Sequence, residues 1–164
     1  MKKAGILIII ITTVVIVVSW DTKNMSNNTQ GNRSKIEDSL ETDRLKYVSL
    51  VKERIKGKEK MRADSVFKNI EMLKVPADKL LAIMNYGYSR SLGVSCGHCH
   101  NTSDFASEEK IQKNITRQMA AMASKINTEL LKNIKGLRPE MVGVNCTTCH
   151  RGEVRPALNL EVKK

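Results

Sequence analysis

The stretch Leu92-Gly93-Val94-Ser95-Cys96-Gly97-His98-Cys99-His100 is answered, 50 residues on, by Val142-Gly143-Val144-Asn145-Cys146-Thr147-Thr148-Cys149-His150. The two C-x-x-C-H motifs use all four cysteines and two of the three histidines. C-x-x-C-H is the attachment signature of c-type haem. Each thiol adds across a haem vinyl group, S–H and the C=C π bond giving way to S–C and C–H, and the adjacent His is placed beneath the ring to ligate iron. Cys96, Cys99, Cys146 and Cys149 are therefore candidate attachment points for two haems, with His100 and His150 as proximal iron ligands. The repeated apolar-Gly-Val-polar approach predicts that each haem is entered through the same turn, Gly taking backbone angles other residues avoid and Val packing on the ring.

Blander readings compete. Two C-x-x-C pairs can form a tetrahedral zinc site, but four thiolates have no use for a His after each pair. Two short disulfides, or a thioredoxin-like redox pair, also leave both histidines unexplained.

The distal side of each iron decides between carrier and catalyst. His98 lies between attachment cysteines, where its ring reaches neither iron, and is expected to be exposed. Methionine is the other ligand type, and Met/His ligation raises the reduction potential. Pro76 to Tyr86 reads as a short helix, with Asp78 favouring its dipole and Leu80, Leu81, Ile83 and Met84 on one side. A turn from Tyr86 to Gly93 can then fold Met84, 12 residues before Cys96, over the first haem. A longer helix is expected to begin with a cap at Ser107-Glu108-Glu109 and to carry Ile111, Ile115, Met119, Met122 and Ile126 on one face, ending before Gly136 and Pro139. Met119 and Met122 share that face, so either can serve the second iron. Met141, close to Cys146, is read as loop.

Outward from the motifs, Ala4 to Trp20 is an uncharged apolar run behind Lys2 and Lys3. It is read as a signal anchor or transmembrane helix over residues 1–20, with a cleaved export signal as the alternative. Either delivers the rest to the periplasmic side of a bacterial cytoplasmic membrane. Residues 21–34 read as a flexible linker and 35–59 as a helical connector, its helical spacing from Lys35 to Lys56 interrupted by Arg44. The two-haem domain is assigned to 60–160.

Composition fits this plan. The 164 residues include only six aromatics, 4% of the chain, which is thin for a globular core; buried porphyrins would supply the missing rings. The net charge of +11 points to an acidic partner or an anionic surface, part of it answering the haem propionates. Nucleic acid is not favoured, since the aromatics are scattered and form no basic stacking platform.

Val66-Phe67-Lys68-Asn69-Ile70, Pro76-Ala77-Asp78, Met84, the first C-x-x-C-H with its approach, Phe105-Ala106-Ser107, Arg117-x-Met119-x-x-Met122, Ile126-Asn127 and Cys146-x-Thr148-Cys149-His150-Arg151-Gly152 resemble the cytochrome c subunit family of photosynthetic reaction centres. Within that family they resemble its short two-haem relatives in non-photosynthetic bacteria. The resemblance, over about residues 61–157, implies helix–turn–motif haem units in which a helix Met supplies the distal ligand: Met84 for the first haem and Met119 for the second, with Met122 the alternative. It also implies electron transfer rather than a photosynthetic setting, since two motifs stand where the full subunit has four. The expected molecule is an all-α, membrane-tethered two-haem cytochrome that carries single electrons between respiratory partners. The rival is a haem enzyme or gas sensor whose five-coordinate iron binds peroxide, NO or O2; a structural zinc module is the third reading.

Overall fold

A computed structural model describes residues 32, 34–138, 140 and 142–159. The expected anchor (1–20), nearly all of the expected linker, Pro139 and Met141 lie outside them. The chain divides into two compact units, Met1–Ser39 and Leu40–Lys164. In the first unit the described residues 32 and 34–39 are helical. No helix among the described residues is long and apolar enough to cross a membrane.

The second unit begins with helix α1 (40–54). Leu40, Arg44, Val48, Val51 and Ile55 fall at intervals of three and four and so share one face. Arg44, which interrupts the apolar pattern, lies on that face and is only 5% exposed. There it pairs with Glu41 and donates from Nη1 to the Val94 carbonyl at 3.3 Å. Helix α1 thereby packs on the approach to the first C-x-x-C-H motif.

A short helix α2 (Ala63–Val66) follows, its Ala63 amide donating to Val75 O and the Ala77 amide to Met61 O. Both alanines are fully buried, so the two backbones approach closely. Helix α3 (Ala77–Ala82) opens with Asp78 in its first turn, as expected, but does not end near Tyr86. It continues as a π-helical segment, Ile83–Ser89, and as α4, Arg90–Leu92, before Gly93 closes it at φ 64°. The expected turn from Tyr86 to Gly93 is therefore helix. Its Asn and Gly are weak helix formers overridden by packing on both sides, and the wide π turn absorbs the misfit.

The first motif enters a 3-10 turn, Cys96–His98. Helix α5 (Ile111–Lys125) starts three residues later than the expected cap. Ser107 Oγ instead accepts from the Glu109 amide, and Glu108 turns to Lys113 and Arg117. Helix α5 relaxes into a π segment, Ile126–Leu130, and a 3-10 turn, Leu131–Asn133, short of Gly136. The second motif forms its own helix, α6 (Cys146–His150), with a reciprocal cap between Asn145 and Thr148. The described residues hold no strand, only an isolated bridge between Arg62 and Pro76.

The repeat does not produce one turn twice. Gly93 is left-handed and a Cβ there would also sit 1.9 Å from the Gly152 carbonyl oxygen, whereas Gly143 is not left-handed. Val94 is held through its carbonyl by Ser89 Oγ and Arg44, and Val144 by the side chain of Asn127, which bonds both its N–H and its C=O at 2.8 Å.

Candidate haem sites

Met84, Cys96, Cys99 and His100 line one cavity of about 460 Å³. The walls come from several elements: Val48 and Val51 from α1, Leu80 and Leu81 from α3, Val94 before the motif and Phe105 after it. Few side chains are buried among the described residues, and most of those that are face this cavity. Among the described residues the buried apolar ones are Ile55, Ala63, Ala77, Leu80 and Val94, and no large side chain is fully buried. The cavity lies where a domain of this size would place its core.

His100 is fixed within this wall. A carbonyl only accepts, so the 3.1 Å contact between His100 Nδ1 and Phe105 O makes Nδ1 the donor and leaves Nε2 with a free lone pair. Burial pushes the imidazole below its ordinary pKa and keeps it neutral, with Lys113 and Arg117 adding to that effect. A neutral His whose other nitrogen is held by a carbonyl is the arrangement of a metal-ligating imidazole. His150 makes the same kind of hydrogen bond, Nδ1 facing the Glu153 carbonyl at 3.0 Å.

Burial also raises the thiol pKa of Cys96, Cys99 and Cys146. A thioredoxin-like pair requires the opposite, a thiol made acidic by its surroundings. Nor do the two cysteine pairs meet: among the described residues no group of three or more His, Cys, Asp or Glu converges as a metal site would need. His98, expected to be exposed, is half-buried.

The second motif is arranged differently. A cavity of about 450 Å³ is lined by Cys146, Val144 and Asn127, by Ala120 and Ala123 of α5, and by Tyr88 from the π segment. Neither Met119 nor Met122 lines it. They stand with Ile111 and Ile115 on an exposed apolar face of α5, Met119 36% and Met122 48% exposed. Cys149 is exposed and His150 half-buried.

Two features escaped the sequence. The π segment walls both cavities, Met84 and Ser89 on the first and Tyr86 and Gly87 on the second. Helix α5 is likewise shared, Lys113, Thr116 and Arg117 facing the first cavity and Ala120 and Ala123 the second. Arg117 binds Glu108 with both terminal nitrogens at 2.8 Å, reaches Glu71 at 3.1 Å and donates to Asn69. With Lys113 it holds the Glu108 carboxyl far below the ordinary range. The four-residue spacing of Lys113 and Arg117 along α5 was the available signal, but apolar periodicity does not report it.

At the first motif the residues suit a covalent haem: paired thiols, an oriented neutral imidazole and a thioether share one largely apolar cradle. The second offers thiols, an oriented imidazole and an uncovered apolar helix face. Comparison with known proteins agrees. A reaction center cytochrome c subunit from Rubrivivax gelatinosus is 31% identical over 99 residues, 58% of this chain and 25% of its own length. Cytochrome c-554 of Chloroflexus aurantiacus is 39% identical over 62 residues, 38% of this chain and 14% of its own. The chain thus spans a quarter or less of these relatives. The family described as the photosynthetic reaction centre cytochrome C subunit matches residues 19–160, nearly the whole sequence, and the chain belongs to that family.

Proposed function

We propose that this protein is a two-haem electron carrier, tethered to the periplasmic face of a cytoplasmic membrane by its N-terminal residues and passing single electrons between respiratory partners. The observation that carries this reading is the shared cavity of Met84, Cys96, Cys99 and His100. Bound haem supplies an iron that cycles between ferrous and ferric states. The protein's part is to fix that iron: Cys96 and Cys99 attach one haem and Cys146 and Cys149 the other, while His100 and His150 each offer Nε2. Met84 would offer its thioether to the first and Met119, with Met122 as alternative, to the second. Saturating both irons with protein ligands leaves no position for a substrate, which favours transfer over catalysis.

Arg54, Lys58 and Lys68 are exposed on the wall of the first cavity. Their charge supports a redox partner with an acidic docking surface. Ligand-field spectroscopy of the ferric protein tests the reading: two Met–His signatures are expected. High-spin iron that takes up carbon monoxide after reduction would instead favour the enzyme or gas-sensor alternative.

A further inference from the structure

Lys113 is a buried cation that ties together the 105–107 turn beside His100. Its side chain is 10% exposed, and its Nζ donates to the carbonyls of Phe105 at 3.1 Å, Ala106 at 3.0 Å and Ser107 at 2.9 Å, with Glu108 Oε1 at 3.0 Å. The first of these carbonyls is the one that accepts from His100 Nδ1–H, also at 3.1 Å. A carbonyl oxygen has two lone pairs and can hold both donors. We propose that Lys113 is a positioning residue that raises the reduction potential of the first haem by sharing the Phe105 carbonyl with the proximal imidazole.

The sign follows from the chemistry. A strong acceptor on Nδ1–H draws the proton outward, gives the ring imidazolate character and makes Nε2 a better donor to iron, which favours the ferric state. An ammonium on the same oxygen withdraws its electron density and weakens that pull. Its charge, only partly offset by Glu108 at 3.0 Å, also disfavours a further positive charge on the iron. Both effects favour the ferrous state.

This inference rests on a haem at Cys96 and Cys99. Were Lys113 merely a tie for the 105–107 turn, its loss would free the Phe105 carbonyl to drift from His100, and the potential would rise or stay. The two roles therefore predict different signs. The test is a redox titration of the full two-haem protein followed by NMR, which reads each haem separately, in Lys113→Gln and Lys113→Arg. Gln keeps donors for the carbonyls but removes the charge; Arg keeps the charge. In Lys113→Gln the first-haem potential should fall, the second should hold, and the His100 Nδ1–H proton of the reduced protein should move downfield. Lys113→Arg should stay near the wild-type potential. Glu108→Gln, which strips the carboxylate from the ammonium, should shift the first haem upward and stands in should Lys113→Gln fail to retain haem. A first-haem potential that is unmoved or raised in Lys113→Gln, an equal shift of both haems, or a fall in Glu108→Gln overturns the inference alone. Absence of haem at Cys96 and Cys99 in the wild-type chain overturns it together with the functional reading.

Discussion

At the scale of single residues, Gly93 carries a demand that no other amino acid meets. Its φ of 64° costs a side-chain-bearing residue about 1–2 kcal/mol. A Cβ would also strike Gly152 O at 1.9 Å, and backbone cannot step aside cheaply. Gly93→Ala should therefore lower the melting temperature by several degrees and loosen the bond from the Gly152 amide to Ser91 O; an unchanged melting curve would mean that the two segments do not meet. The sequence marked Gly93 as special, and marked Gly143 equally, because a repeat reveals shared ancestry of residues but not which neighbour each one meets. The methionines separate in the same way. Met84→Ala should remove the Met signature from the first haem and leave the second intact. Met119→Ala should remove the second signature while Met122→Ala keeps it; the reverse would reassign the ligand to Met122.

At the scale of elements, the helices were legible wherever apolar residues recur every three or four positions, as in α1, α3 and α5. Their ends and interruptions were less so. Arg44 reads as a break in α1 yet is part of its buried face, since the Val94 carbonyl and Glu41 each take one of its terminal nitrogens. Ser107-Glu108-Glu109 has the composition of a cap, but two cations on α5 compete for Glu108 and win. That competition has a pH signature. Hydrogen bonds from Arg117 and Lys113 lower the folded-state pKa of Glu108 below the ordinary 4.5, so on acidification the unfolded chain takes up the proton first. The stabilisation is complete above about that ordinary value and is lost as pH falls towards the folded one. Melting temperatures of wild type and Glu108→Gln should differ at neutral pH and converge in acid; a constant gap from pH 7 to strongly acid solution would place the stabilisation elsewhere.

At the scale of the molecule, shortage of core is the unifying fact. A chain with six aromatics leaves few side chains buried and gathers its apolar walls around a cavity instead. The two halves of the site are joined where the motifs touch: Ser91, just before the first, shares a 2.6 Å hydroxyl hydrogen bond with Thr147, inside the second. The motifs and the helical class could be read from the sequence, the first from the fixed C-x-x-C-H spacing and the second from apolar residues recurring every three or four positions. The π segment and the interlock could not, since they depend on which surfaces meet. The central claim, that each C-x-x-C-H motif holds a haem, is tested by mass spectrometry of the denatured protein, produced with its full c-type maturation machinery, followed by mapping of the proteolytic peptides. Two covalent haems per chain are predicted, one on the peptide with Cys96 and Cys99 and one on that with Cys146 and Cys149. A chain at its bare polypeptide mass, or a single modified motif, would contradict it.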